Sequence, residues 1–381
     1  MVIYADNAAT TKISDVAFKK MLPFLQEQYG NASSKYALGV KAKRAIEQSR
    51  RQVAEVIGAE SSEITFTSGG TEGNSWVIQN VSILFSNNPI HIITSSIEHH
   101  SVLNACQALE IRGVEVTYLA VDGNGCVSVD DVEMALRPNT KLVSVMLANN
   151  EIGTIQPIAA ISKRICERRI LFHTDAVQAV GHIPVNVKNL QVDFLTASAH
   201  KFNGAKGTGF LYRRSGLALP QLVYGGEQEQ GQRAGTENVA GIVALGYALV
   251  ESVTDMIEMR EKLSSLIRAT VDGLRAEIPD IRINGDDAER LPGTMNVTFP
   301  HVYGEAIMHL LDLKGIYIAT GSACNSGKDE PSHVLLALGL SEKQAKSSIR
   351  ISYGRYNTMQ DVTVIVTAII DAYSKIKKSG E

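Results

Sequence analysis

The chain has 381 residues, of which 44% are hydrophobic and 20% charged, and its formal net charge is -3. These values are ordinary for a globular protein of two packed units, and they give no electrostatic footprint for nucleic acid. No apolar run is long enough to span a bilayer, and we expect no signal peptide because the first residues lack a basic start and a long apolar stretch. Four widely spaced cysteines, without a CxxC or Cys/His metal pattern, favour a reducing cytoplasm and no metal site.

From about residue 50 to residue 250, short apolar runs alternate with helical patterns. The runs typical of strands are Ile64–Thr67, Ile90–Thr94, Val114–Leu119, Leu142–Leu147, Ile170–His173, Phe194–Ala197 and Gly209–Tyr212. Strands that alternate with helices predict a mostly parallel sheet with both faces covered. We therefore expect an α/β fold whose large domain spans residues 16–254.

The pattern changes after a helix predicted over 251–276, in which charged residues separate apolar ones. The later elements, which indicate a smaller α+β unit, are strands at Gly293–Phe299 and Ile316–Ala319 and a closing helix near 359–377. We expect this small domain to combine residues 1–15 with residues 255–381.

Asp175 and Lys201 are the most informative pair of residues in the chain. Each follows a strand-like run, and the stretch between them is long enough for a helical crossover. That arrangement puts an acid and an amine on neighbouring strand ends of a parallel sheet, where α/β proteins hold their ligands. Pyridoxal phosphate needs such a pair, because the lysine forms a Schiff base and the acid keeps the pyridine nitrogen protonated. The pair therefore predicts a pyridoxal phosphate site.

Other candidate residues also follow strand-like runs. Gly70 and Thr71 lie in a Gly-rich turn that opens a helix, which suits a phosphate but is equally typical of an ordinary corner. His99 is placed to move protons at neutral pH or simply to cap a helix. Asn150 and Gln178 are amides that can donate to a phenolic oxygen, although lone amides in turns are common.

Three later segments contain candidates for a phosphate-binding loop, a reactive thiol and a residue that binds a substrate carboxylate. The loop with Arg233 and Thr236 is either a phosphate contact or a surface hairpin. Cys324, in Gly321-Ser322-Ala323-Cys324-Asn325-Ser326-Gly327, lies among small residues, unlike a buried structural cysteine. Arg350, in an alternating strand, is either a bidentate grip on a substrate carboxylate or part of a surface ion pair.

The joint order and spacing of these motifs resemble the cysteine desulfurases of the NifS/IscS type, in the class V aminotransferase family. The likeness starts at Asp6-Asn7-Ala8-Ala9-Thr10-Thr11 and ends at Ser347-Ser348-Ile349-Arg350-Ile351-Ser352. Any one motif is weak, but their order along nearly the whole chain is specific. The resemblance implies the pyridoxal-phosphate fold of type I, with a mostly parallel seven-stranded sheet in the large domain.

The resemblance also implies a role for each matching position. Lys201 would form the Schiff base, Asp175 would pair with the pyridinium, and His99 would stack on the ring and serve in acid–base steps. The other implied ligands are Gln178 and Asn150 near the ring oxygen, Gly70, Thr71, Ser198 and His200 at the phosphate, Thr236 at the phosphate of the other subunit of a homodimer, and Asn31 and Arg350 at the substrate carboxylate.

Cys324 would attack the sulfur of L-cysteine, carry it as a persulfide and leave L-alanine. An acceptor protein would then receive the sulfur, for iron–sulfur cluster assembly or another sulfur-transfer pathway. The alternative enzyme is a selenocysteine lyase or a class V aminotransferase with the same fold. A third hypothesis is a non-catalytic scaffold subunit. Cys324 argues against the aminotransferase, and intact Lys201, Asp175 and Cys324 argue against the scaffold.

The chain departs from the family pattern in two segments. Ala32 and Tyr36 stand where the family often has a proline and a histidine. Glu227 and Gln230 stand where a glycine and an arginine are usual, so the subunit-crossing loop is less basic. These departures leave cofactor affinity and partner choice open, but not the type of reaction.

Overall fold

The computed structural model describes residues 2–86, 88–168, 170–321 and 330–380. In these ranges the strands are β1 (Ile3–Tyr4), β2 (Ile64–Thr67), β3 (His91–Ser95), β4 (Glu115–Leu119), β5 (Thr140–Ser144), β6 (Leu171–Asp175), β7 (Phe194–Ser198), β8 (Gly209–Arg213), β9 (Arg282–Asn284), β10 (Thr294–Thr298), β11 (Ile316–Tyr317), β12 (Ala319–Thr320) and β13 (Ser348–Ser352).

The α-helices of the same ranges are α1 (Asp15–Gln26), α2 (Ala37–Ile57), α3 (Gly70–Leu84), α4 (His100–Glu110), α5 (Val129–Met134), α6 (Ile158–Ile165), α7 (Val187–Leu190), α8 (Val239–Thr254), α9 (Met256–Glu277), α10 (Gly304–Asp312), α11 (His333–Ala337), α12 (Glu342–Lys346) and α13 (Met359–Gly380). Single turns of 3₁₀-helix lie at Ser61–Glu63, Cys166–Arg168, Ala199–Lys201 and Gln228–Gly231.

Within the described residues, seven strands form the largest sheet, in the order β2-β8-β7-β6-β5-β3-β4. Its neighbours from β7 to β4 pair in parallel, whereas β8 is antiparallel to both β7 and β2. Ile92 packs into one hydrophobic cluster and the next residue, Ile93, into another, so both faces of the sheet are covered. Continuous apolar strands are what such two-sided burial requires. The predicted α/β fold with a mostly parallel seven-stranded sheet is confirmed.

The sheet brings the ends of β6 and β7 together. The two strands are parallel neighbours, with Asp175 beside Thr196. Lys201 follows β7 in the 3₁₀ turn Ala199–Lys201. Asp175 and Lys201 therefore lie at adjacent carboxyl ends of parallel strands, as their sequence spacing predicts.

A second hydrophobic cluster lies outside this sheet. Its strands form an antiparallel sheet in the order β12-β13-β10-β9, and β1 pairs in parallel with β11. Buried Met295 and Ile351 pack there with residues of α9, α10 and α13. Ile3 and Ala5 belong to the same cluster, so the N-terminal segment joins the C-terminal half of the chain. The predicted domain limits, 16–254 and 1–15 plus 255–381, stay a prediction.

Three predicted elements differ from the structure. The strand predicted at Ile316–Ala319 is two strands, β11 and β12, which belong to different sheets. The single helix predicted over 251–276 is wrong, because α8 ends at Thr254 and α9 starts at Met256 with a bend of 72°. Asp255 has non-helical backbone angles at this break, and Arg355 donates to its carboxylate at 2.6 Å. Strand β5 stops at Ser144 rather than Leu147. The N–H of Met146 there donates to the Glu98 carboxylate at 2.8 Å.

No single helix in the described part of the chain is long and apolar enough to cross a membrane. The bent pair α8 and α9 passes that test together, on length and composition alone.

Candidate active site

A cavity of about 280 Å³ lies at the carboxyl ends of β6 and β7. The sequence-predicted residues that line it are Gly70, Thr71, His99, Asn150, Asp175, Gln178, Ser198, His200, Lys201 and Arg350. The other lining residues are Ala8, Ala9, Asn74, Ser101, Met146 and Val177. The cavity is thus lined by residues from the N-terminal segment, from β13 and from the ends of five strands of the large sheet.

The N-terminus of α3 forms one wall of the cavity. Its N-cap residue, Gly69, provides no side-chain cap for the amides of the first turn. A Cβ atom on Gly70 would lie 2.6 Å from Cγ2 of Val177, and one on Gly69 would lie 3.4 Å from Oγ of Ser198. The backbone therefore lies close against the strand ends, with the amides of the first helical turn and the positive end of the helix dipole beside the cavity. This wall is suited to a phosphate group.

A chain of hydrogen bonds connects Asp175 with His99. Nδ2 of Asn74 donates to Oδ2 of Asp175 at 2.6 Å and to Oγ of Ser101 at 2.9 Å. The N–H of Val177 donates to the other Asp175 oxygen at 2.9 Å. Asp175 is 5% exposed, so these donors replace the water that its carboxylate would otherwise bind.

The same chain of hydrogen bonds determines the tautomer of His99. The backbone N–H of Ser101 donates to Nδ1 of His99 at 3.1 Å, and Oγ of Ser101 lies 2.8 Å from the same atom. Nδ1 is therefore an acceptor, which places the proton of the neutral ring on Nε2. Burial lowers the pKa of His99, an effect opposed by the charge of Asp175 and reinforced by that of Lys201. His99 is therefore a neutral imidazole that donates a hydrogen bond from Nε2.

The N-terminal segment lies across the lysine. Nζ of Lys201 donates to the carbonyl oxygens of Ala8 and Ala9 at 2.6 and 2.7 Å. Nε2 of Gln178 donates to the same Ala8 carbonyl at 3.0 Å. Nδ1 of His200 lies 3.1 Å from the Thr10 hydroxyl, and burial lowers the pKa of this histidine to about 4. His200 is therefore neutral at physiological pH.

Arg350 closes the opposite wall from the middle of β13. Its Nη2 donates to Oδ1 of Asp6 at 2.6 Å, and its Nη1 donates to the carbonyl of Asn150 at 3.0 Å. The side chain is only 5% exposed. The carboxylate and the carbonyl thus give a partner to each of the two Nη groups.

Two buried carboxyl groups lie behind the cavity. Burial raises the pKa of Glu98 to about 8, against the hydrogen bonds donated by Ser95 and Met146. Burial also raises the pKa of Glu151 to about 7, against a hydrogen bond from Ser332 at 2.5 Å and the charge of Arg350. Both groups are largely or partly protonated at neutral pH, which limits the negative charge near the site.

Two predicted site residues, Asn31 and Thr236, lie away from this cavity, and a third lies outside the described residues. Asn31 is exposed, and its Oδ1 accepts a hydrogen bond from the N–H of Ser33 at 2.9 Å. Thr236 is exposed and lines a different cavity, of about 220 Å³, together with Arg233. Cys324 lies outside the described residues. The roles predicted for these residues stay predictions.

The loop that departs from the family pattern is held by a buried ion pair. Glu229 accepts two hydrogen bonds from Arg50, at 2.7 and 2.9 Å, and one from the N–H of Phe66 at 2.8 Å. Glu227 and Gln230, the substituted positions on either side, are exposed, as is Tyr36. The substitutions therefore change the surface of this loop and leave its buried anchor intact.

Asn74, Ser101 and Asp6 are the residues that sequence reasoning missed. Asn74 lies one helical turn after Gly70, so helical periodicity alone places it on the face that meets the cavity. Ser101 follows His99 at the start of α4, where a short polar side chain is common. Asp6 has no comparable local signal, since its partner Arg350 lies 344 residues away.

The described residues fit pyridoxal phosphate. An amine, a buried carboxylate, a neutral imidazole and an anion-binding helix N-terminus line one cavity. The backbone at Gly70 leaves no room for a side chain beside Val177, as a close-fitting phosphate cradle requires.

Comparisons with known proteins give a consistent result. The model of the class-V aminotransferase family matches residues 3–365. A cysteine desulfurase IscS of Methanosarcina thermophila is 47% identical over 375 residues, which cover 98% of this chain and 93% of that protein. A solved NifS-like protein matches with a TM-score of 0.93 and 37% identity, over 98% of this chain and 100% of its own. A structure of SspA in complex with cysteine matches with a TM-score of 0.84 and 37% identity, over 94% of this chain and 100% of its own.

Proposed function

Since the chain belongs to the class-V aminotransferase family and is a cysteine desulfurase that uses pyridoxal phosphate, we propose that it converts L-cysteine to L-alanine and carries the sulfur on Cys324. The observation that supports this most is the meeting of Asp175, Lys201 and His99 at one cavity. The parallel neighbours β6 and β7 bring Asp175 and Lys201 together, and His99 follows β3 of the same sheet.

The cofactor, when bound, supplies an electron sink beside the α-carbon of the amino acid. Asp175, oriented by Asn74 and Val177, is the carboxylate that holds a proton at the ring nitrogen. Lys201 is the amine that holds the cofactor and takes the α-proton. His99, as the Nε2–H tautomer, donates a hydrogen bond or a proton towards the cavity. The amides at the start of α3, with Ser198 and His200, hold the phosphate.

Cys324 is the residue that makes the reaction a sulfur transfer. Its thiolate attacks the sulfur of L-cysteine, so that an S–S bond forms as the Cβ–S bond breaks. The β-carbon takes up a proton, and L-alanine remains. The persulfide is then passed to an acceptor protein, for iron–sulfur cluster assembly or another sulfur-transfer pathway.

The remaining parts of the proposal concern assembly and location. Thr236 reaches the phosphate of the other subunit in a homodimer, which accounts for its position at a separate cavity beside Arg233. Asn31 and Arg350 bind the carboxylate of the substrate. The cytoplasmic location rests on the four widely spaced cysteines, which form no CxxC motif.

Release of alanine and sulfide from L-cysteine tests the proposal. We expect Cys324→Ser to abolish sulfide release with a thiol acceptor, while L-cysteine still alters the cofactor absorption band. We expect Lys201→Ala to lose the band that borohydride removes from the unmodified protein. Cys166→Ser is the matched control, because Cys166 is an exposed free cysteine outside the cavity. Full activity of Cys324→Ser would contradict the persulfide route.

A further inference from the structure

Arg350 is a buried guanidinium with one donor still unsatisfied. Asp6 and the Asn150 carbonyl accept from Nη2 and Nη1. Nε is buried and has no hydrogen-bond partner among the described residues. A buried donor without a partner is costly, and this one belongs to a side chain that lines the cavity. An incoming carboxylate is the group that would satisfy it.

Backbone bonds place Asp6 beside Arg350. The N–H of Ser352 donates to the carbonyl of Ala5 at 2.8 Å, and the N–H of Asn7 donates to the carbonyl of Ser352 at 3.1 Å. Ser352 lies two positions after Arg350, so the side chains of both residues project from the same face of β13. The segment is thus attached to the strand by its main chain, and attachment does not need the carboxylate of Asp6.

Among the described residues, the carboxylate of Asp6 is the one that lies within hydrogen-bonding distance of Arg350. The side chain of Asp6 is 18% exposed. The other acid near the guanidinium, Glu151, is buried and accepts a hydrogen bond from the Ser332 hydroxyl. A single partner on Nη2 and a carbonyl on Nη1 hold the guanidinium plane in one orientation, which bidentate recognition requires.

We propose that Asp6 is a positioning residue that orients the fork of Arg350 and so gives the site its selectivity for a substrate carboxylate. The inference rests on the proposed function, in which Arg350 binds the carboxylate of L-cysteine. Removal of Asp6 leaves the positive charge of Arg350 but lets its guanidinium plane rotate. A guanidinium that no longer faces the carboxylate with two N–H groups binds it less tightly.

The test compares L-cysteine with L-cysteinamide, which has the thiol and the amine but no carboxylate. We expect the unmodified protein to prefer L-cysteine in kcat/KM. Asp6→Ala should reduce that preference about tenfold, mainly through a higher KM for L-cysteine, as the loss of one charge-assisted contact predicts. Asp6→Asn should give an intermediate ratio, because its amide oxygen still accepts from Nη2. Asp280→Ala, at an exposed aspartate away from the cavity, is the control.

A merely structural role for Asp6 would lower the values for both substrates equally and leave the ratio unchanged, which would overturn the inference. Arg350→Gln, which removes the charge, separates this failure from failure of the proposed site. If Arg350→Gln loses the preference and Asp6→Ala keeps it, only the inference is wrong. If Arg350→Gln keeps the preference, Arg350 does not bind the carboxylate, and both the inference and the proposed carboxylate site are wrong.

The ratio of the equilibrium affinities for L-alanine and L-alaninamide measures the same preference for a carboxylate without turnover. It decides the inference even if the protein does not act on L-cysteine, an outcome that would refute the proposed function alone. If Asp6→Ala does not fold, as its thermal unfolding would show, the ratio measured for Asp6→Asn decides: an unchanged ratio overturns the inference and a reduced ratio supports it.

Discussion

At the scale of single residues, the site depends on buried polar groups that hydrogen-bond to one another. Asp175 accepts hydrogen bonds from Asn74 and from the amide of Val177, and Asn74 also donates to Ser101. Removing one member of such a network leaves the others buried without partners, which costs more than the bond itself is worth. Most residues that line the cavity were predictable from the sequence, but the residues that orient them were mostly not.

Asn74→Ala should reduce turnover of L-cysteine on the order of 10-fold to 100-fold, because Asp175 and Ser101 both lose their donor. Steady-state kinetics at saturating cofactor measures this effect. Asn80→Ala is a matched control, since Asn80 is an equally buried asparagine on α3 whose Nδ2 donates to the Trp76 carbonyl, away from the cavity. Equal losses of turnover in both variants would show that the effect is one of folding.

Glu98 predicts a dependence of stability on pH. Burial raises its pKa from 4.5 to about 8, so between these values the folded protein keeps a proton that the unfolded chain has lost. Stability from this group is therefore complete below pH 4.5 and is lost as the pH rises towards 8, by up to about 1.4 kcal/mol per pH unit.

Urea unfolding at pH 6 and pH 8 tests this dependence in Glu98→Gln, which keeps an acceptor for Ser95 and Met146 but cannot ionise. We expect the variant to lose less unfolding free energy than the unmodified protein between the two pH values, by at least about 1 kcal/mol. Glu258→Gln, at an exposed position of α9, should behave like the unmodified protein. Parallel curves for Glu98→Gln and the unmodified protein would contradict the prediction.

At the scale of elements, the strand ends decide where the chemistry is placed. The apolar runs predicted the strands of the large sheet closely, because burial on both faces leaves a continuous apolar signal in the sequence. The end of β5 was missed, since it coincides with a hydrogen bond from Met146 to Glu98, which lies 48 residues away. The break at Asp255 was missed for the same kind of reason, because its partner Arg355 lies 100 residues later.

Glu229 attaches the loop before α8 to α2 and β2. Its carboxylate is 4% exposed and pairs with Arg50, which is 3% exposed. Glu229→Ala should lower the unfolding free energy by about 3–5 kcal/mol, because it leaves the Arg50 charge buried and unpaired. Glu115→Ala, which breaks the exposed pair with Arg137, should cost at most about 1 kcal/mol. Urea unfolding of the two variants distinguishes them, and similar losses would contradict the prediction.

At the scale of the whole molecule, the N-terminal segment and strand β13 meet at the site. Ile3 and Ala5 pack in the same cluster as α13, and the next residues carry Asp6 to Arg350 and the Ala8 and Ala9 carbonyls to Lys201. The family motif at Asp6–Thr11 marked this segment in the sequence without revealing what it contacts. Its contacts explain how a short N-terminal segment becomes part of a cavity formed mainly by strands near the middle of the chain.

The sequence by itself determined the fold class, the family and most residues of the site, because strand-like runs and motif spacings are properties of neighbouring residues. Only the tertiary structure decided which side chains orient the catalytic groups. Asn74 reaches Asp175 across 101 residues and Asp6 reaches Arg350 across 344, and such pairs form only when the sheet and the second cluster are packed. Patterns among neighbouring residues do not identify a partner that far along the chain, so these two contacts could not be predicted without the tertiary structure.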